Sequence, residues 1–121
     1  MKPNRDYLQD MLDYIQHLES FQVSDESALD DMKTQLAVSK AYEVLGEIAK
    51  RLPDPLLQQE PQIAWKQLKG MRDILIHRYD DIDLHLLWEA LEQLPALHAA
   101  VEALLASLPD DEGDARRRGG Q

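Results

Sequence analysis

A chain of 121 residues, 44% of them hydrophobic, is long enough to bury one core and too short for two, so one compact module is expected. Cys is absent, which removes disulfide staples, thiolate metal sites and cysteine nucleophiles, and aromatic residues are only 6%, which favours an all-α fold over sheet. The formal charge of −10 excludes a general nucleic-acid coat, because neutralising phosphate needs clustered Lys and Arg.

The N-terminus, Met1-Lys2-Pro3-Asn4-Arg5-Asp6, lacks the apolar core of a signal peptide, and no run approaches the roughly 20 apolar residues of a membrane span. With the absence of Cys, this leads to the expectation of a cytoplasmic protein. Leu8, Met11, Leu12, Ile15 and Leu18 recur at helical spacing and predict a first helix ending near Ser20, with Asn4 or Asp6 as its N-cap. Ser24 or Asp25 then caps a longer helix with two apolar stripes. One runs through Leu29, Met32 and Leu36 and the other through Ala41, Val44, Leu45, Ile48 and Leu52, so this helix is expected to be covered on two sides. Within it Gly46 costs helix stability and points to close approach of another backbone, whereas Glu47 reads as a solvated charge.

Pro53-Asp54-Pro55 stops the second helix, and Leu56 to Glu60 reads as a short helical turn. Pro61 suits the first turn of the next helix, whose apolar positions are Ala64, Leu68, Met71 and Leu75. Asp80, Asp81 and Asp83 mark a turn and the N-terminus of a last long helix, along which Leu84, Leu87, Leu91, Leu94, Leu97, Val101 and Leu104 form a sustained stripe. Pro95 lies inside that stripe and predicts a kink or a break. The architecture expected is therefore an up-and-down bundle of four to five helices over residues 1–108. Residues 109–121, acidic and then carrying Arg116, Arg117 and Arg118, read as a disordered tail.

The third long helix ends in Arg72-Asp73-Ile74-Leu75-Ile76-His77-Arg78-Tyr79, an arginine, four residues, a histidine, one residue and a tyrosine. Lys66, Lys69, Arg72 and Arg78 cluster around it, a positive neighbourhood inside an acidic chain and a set of candidate RNA contacts. An imidazole titrates near about pH 6.5, so His77 can take a proton from a ribose 2′-hydroxyl, while the planar guanidinium of Arg72 can hold two phosphate oxygens as charge builds on phosphorus. Asp73 precedes His77 by four residues, about 40° away on an ideal helix, where its carboxylate could orient the ring. Arg72 and His77 stand about 140° apart, so they converge only if the helix end unwinds or a second chain supplies part of the site.

The R-x4-H-x-Y spacing resembles the motif of the HepT-like branch of the HEPN superfamily, and Tyr42 to Leu52, with its Gly-Glu step, is similar to that family's second helix. The resemblance implies a small all-helical endoribonuclease that works without metal or cofactor and directs a 2′-oxygen onto the adjacent phosphate, with Arg72 and His77 as the catalytic pair. It also implies a type VII toxin–antitoxin pair: a minimal nucleotidyltransferase antitoxin, MntA-like, transfers AMP to Tyr79 and blocks the RNA site. The poor convergence of Arg72 and His77 within one helix and the doubly apolar second helix lead to the expectation of a homodimer, with a higher oligomer in the antitoxin complex left open. The family often places Asn or another polar residue after the arginine; Asp73 there could orient Arg72 or weaken its hold on phosphate.

Each residue also has a bland role. A histidine near a helix C-terminus suits the dipole, Arg72 can be a surface ion-pair partner, and Tyr79 can pack at a helix end. The alternative function is accordingly a non-catalytic module that binds nucleotides or docks a nucleotidyltransferase. His85 with Glu89, and His98 with Glu102, are spaced i, i+4 but lack a third converging ligand, so no metal site is expected. His17 reads as a lone surface histidine, and Trp65 and Trp88 as core or interface residues.

Overall fold

The computed structural model describes residues 2–78 and 80–109; Tyr79 and all of the expected tail except Pro109 lie outside the described residues. Every regular element among the described residues is helical. The first, α1 (Asn4–Ser20), buries the five apolar residues that its spacing marks, Leu8, Met11, Leu12, Ile15 and Leu18. Its N-cap is neither Asn4 nor Asp6 but Pro3, whose extended backbone presents its carbonyl to Asp6 N at 3.0 Å, so Asp6 sits within the first turn and complements the dipole there.

The expected long second helix is two elements. The Asp25 carboxylate accepts from Ala28 N at 3.2 Å and opens a 3-10 turn, Glu26–Asp30. Asp31 then accepts from both the amide and the hydroxyl of Thr34, at 2.9 and 2.8 Å, and starts α2 (Met32–Arg51). Two successive aspartate caps restart the helix and turn Leu29 away from the rest of its supposed stripe. Leu29 is buried, but Met32 and Leu36 are 63% and 60% exposed, which corrects the expectation of cover on two sides. The second stripe behaves as its spacing requires, with Ala41, Leu45, Ile48 and Leu52 in the core and Val44 packed against it.

A single turn, α3 (Asp54–Leu57), follows and buries Leu56 and Leu57. The next helix, α4 (Trp65–His77), starts later than Pro61. The Glu60 carbonyl takes the Ile63 amide at 3.3 Å and the Trp65 indole N–H at 3.0 Å, so residues 61–64 are held as a turn. Trp65 is thereby fixed in the core, as Met71 and Leu75 are further along. Asp83 caps α5 (Leu84–Glu92) through His85 N and Leu86 N. The last helix breaks at Gln93, and α6 (Leu94–Ser107) carries Pro95 in its first turn, where a missing N–H costs nothing. This break and the short α3 account for six helices where four to five were expected.

In the bundle, α1 lies between α2 and α6, α2 also packs on α4 and α5, and the 3-10 turn bridges α2 and α5. Two histidines pin elements together: His98 Nδ1 meets Glu19 of α1 at 2.7 Å and its Nε2 meets Glu102 at 3.3 Å. His85 likewise lies between Glu26 at 2.9 Å and Glu89 at 2.8 Å. No described helix is long and apolar enough to cross a membrane.

Candidate active site where α4 meets α2

Gly46 sets the geometry. A Cβ built on it would stand 2.7 Å from Arg72 Cβ, 2.7 Å from the Leu68 carbonyl oxygen and 3.2 Å from Arg72 N, so the α4 backbone rests directly on the missing side chain. The close approach expected at this glycine is present, and the residue it receives is the motif arginine. Arg72 is one-third exposed and lies over α2, where its Nε forms an ion pair with Glu47 Oε2 at 3.1 Å and its Nη1 donates to Asp73 Oδ1 at 2.9 Å. Two carboxylates thus fix the guanidinium plane, and no described residue accepts from Nη2, which leaves donors for an oxyanion. Asp73, and then Glu47, hold the Arg72 pKa above the ordinary arginine value.

Two readings of charge change here. Asp73, expected to orient His77, takes Lys50 Nζ at 2.8 Å as well as Arg72, and these two cations, Lys50 first, hold its carboxyl below the usual aspartate value. Asp73 therefore orients Arg72, not the imidazole. Glu47, expected to be a solvated charge, is one jaw of the clamp on Arg72 and holds Arg51 Nη2 at 3.1 Å with its other oxygen. The sequence does carry a signal for Glu47: a glycine that admits another helix puts its neighbour against that helix as well.

His77 closes α4, exposed, and its side chain makes no hydrogen bond or ion pair with another described residue. Nothing among the described residues joins it to Arg72. Of the candidate RNA contacts, Lys69 is held by Asp54 at 2.7 Å, Lys66 is exposed on the first turn of α4, and Arg78 is exposed just past its end. The positive neighbourhood is thus partly neutralised by Glu47, Asp54 and Asp73. An open cavity of about 300 Å³ lies elsewhere, against Tyr42, Leu68, Met71 and Leu86, with Glu89 and Glu92 in its lining, a charge unsuited to phosphate. Among the described residues no three His, Asp or Glu converge as metal ligands, and the His–Glu pairs on α5 and α6 are instead bridges to other elements.

This geometry is found in a chain whose residues 11–104 match the ribonuclease HepT-like family, and the protein belongs to that family. The chain is 37% identical over 106 residues to a probable ribonuclease HepT of Thermococcus cleftensis, covering 85% of this chain and 96% of the relative. A putative RNase of Caldanaerobacter subterraneus is 32% identical, over 87% of this chain and 96% of its own length. A third relative, a putative RNase of Methanocaldococcus jannaschii, is 30% identical over 92% and 94% of the two chains. No solved structure matches the chain.

Proposed function

We propose that this ribonuclease-family chain is a metal-independent endoribonuclease and the toxin of a type VII toxin–antitoxin pair, acting as a homodimer on RNA. The observation that carries the reading is Arg72, clamped in one orientation by Glu47 and Asp73 with donors to spare, on the same helix that ends in an exposed histidine with no described partner. Such a guanidinium is preorganised for the charge that grows on phosphorus. His77 takes the proton from the 2′-hydroxyl, the 2′-oxygen bonds to phosphorus, and the 5′-oxygen leaves with a proton, ending the upstream strand in a cyclic phosphate.

Two features support a dimer. Arg72 faces α2 while His77 stands clear of it at the helix end, so a second copy is the simplest source of the missing half of the site. Exposed apolar side chains on α2 and α4, Met32, Leu36 and, 42% exposed, Ile74, offer such a copy a surface. Lys66, Lys69 and Arg78 are proposed to steer the RNA backbone. Tyr79, which lies outside the described residues, is proposed as the AMP acceptor of an MntA-like nucleotidyltransferase antitoxin; the added phosphate would compete for Arg72 and Arg78. One observation favours the alternative of a non-catalytic nucleotide-binding or docking module: Glu47 and Asp73, which orient Arg72, also offset the positive potential that it presents to a phosphate. Cleavage of single-stranded RNA by purified chain in excess EDTA separates the two. The account expects cleavage that His77→Ala and Arg72→Ala each reduce at least a hundredfold with helicity intact. An inactive parent, or an equally active His77 variant, favours the docking module.

A further inference from the structure

Glu47 leads away from Arg72 as well as toward it. Its second oxygen holds Arg51, at 3.1 Å from Nη2 and 3.3 Å from Nε, and Arg51 lines the same groove as Tyr7 of α1. This run of contacts ends in an open groove of about 240 Å³ between α1 and α2. Val44 and Ile48, one turn apart on α2, give it apolar lining. Tyr7 and Tyr14, seven residues apart and so on one face of α1, line the other side, and both are only partly buried. Among the described residues no aromatic ring stacks face to face on either tyrosine; Tyr14 meets His17 edge-on.

The charges in the groove are matched in pairs. Lys2 bonds to Asp10 and lies 5.1 Å from the centre of the Tyr7 ring, and Arg51 is tied to Glu47. A near-neutral slot with aromatic and apolar walls is poorly made for phosphate and well made for a flat heterocycle. The proposed phosphate site, Arg72, is next door, paired with the Glu47 that lines the groove. We propose that the α1–α2 groove binds a nucleobase of single-stranded RNA, that of a nucleotide adjoining the scissile phosphate, an inference that rests on the ribonuclease reading above. The groove then acts as a subsite: it selects unpaired RNA, because a stacked and paired base cannot enter, and it fixes the register of the chain over Arg72.

The test places 2-aminopurine at each position in turn of a single-stranded RNA octamer and records its fluorescence on the His77→Ala protein, while the parent protein maps the cut in the same octamer. Quenching is expected at one position, beside the cut. Tyr14→Leu, which keeps bulk but removes the ring, is expected to abolish the quenching and weaken binding about five- to a hundredfold, with Tyr14→Phe retaining both. Tyr7→Leu gives an independent second variant, and circular dichroism checks that each is folded. Binding without quenching at any position, or binding to the folded Leu variants as tight as to the parent sequence, overturns the groove assignment and leaves the ribonuclease reading standing. Quenching at one position with no cleavage by the parent has the opposite meaning: the groove holds a base, and the ribonuclease reading fails.

Discussion

Gly46→Ala is the substitution whose consequence the structure defines most sharply. The new methyl would sit 2.7 Å from Arg72 Cβ and 2.7 Å from the Leu68 carbonyl oxygen, about an ångström inside normal carbon contact. Leu68 O and Arg72 N are backbone atoms that cannot rotate aside, so α4 as a whole has to retreat from α2. Overpacking of this kind costs about 1–3 kcal/mol, and alanine returns about 0.5–1 kcal/mol of helix propensity. A net loss near 1 kcal/mol corresponds to a fall in Tm of about 4 °C for a domain of this size. Activity should suffer far more than stability, because Arg72 moves with α4 and loses Glu47, and a misplacement of about 1 Å costs roughly a hundredfold in rate. Thermal unfolding by circular dichroism and RNA cleavage on the same preparation give both numbers. A variant that melts higher than the parent and cleaves equally well would refute the close approach and the dependence of Arg72 on it.

Co-expression with an adjacent nucleotidyltransferase should add AMP to the parent chain but not to Tyr79→Phe, read by intact mass; an adduct on Tyr7, Tyr14 or Tyr42 would contradict the assignment. His98 is raised above the ordinary histidine value by its bond to Glu19, so its contribution to stability is full below about pH 6.5 and disappears as pH rises through the higher folded value. The Tm of the parent should therefore fall across that window more than that of His98→Gln, and equal slopes would show that the α1–α6 bridge carries no linkage.

The apolar stripes of α1, α4 and the last two helices and the break before Pro95 were legible, because each depends on residues within a turn or two of one another, and the close approach at Gly46 was legible because a glycine inside a helix marks one without naming its partner. The start of α2 was not. Leu29, Met32 and Leu36 keep helical spacing straight through Asp31, and only the competition between two caps, Asp25 and Asp31, interrupts them. The start of α4 was misplaced because it depends on the Trp65 indole reaching back to the Glu60 carbonyl. Of the site, Arg72 and His77 could be found by spacing and by resemblance to a family to which the chain belongs. The partners of Arg72 could not: Glu47 is on another helix, and Asp73 faces Lys50, 23 residues away in sequence, instead of the histidine one turn on.

Arg72 of one chain and His77 of another are proposed to form one RNA-cleaving site, and mixing two dead variants tests that arrangement. Arg72→Ala and His77→Ala chains, each inactive alone, are unfolded together and refolded into dimers. In each heterodimer one composite site carries both alanines and the other carries both native residues, so the mixture should recover about a quarter of the parent's specific activity. A mixture in which native mass spectrometry finds the heterodimer but no cleavage returns would contradict the composite site.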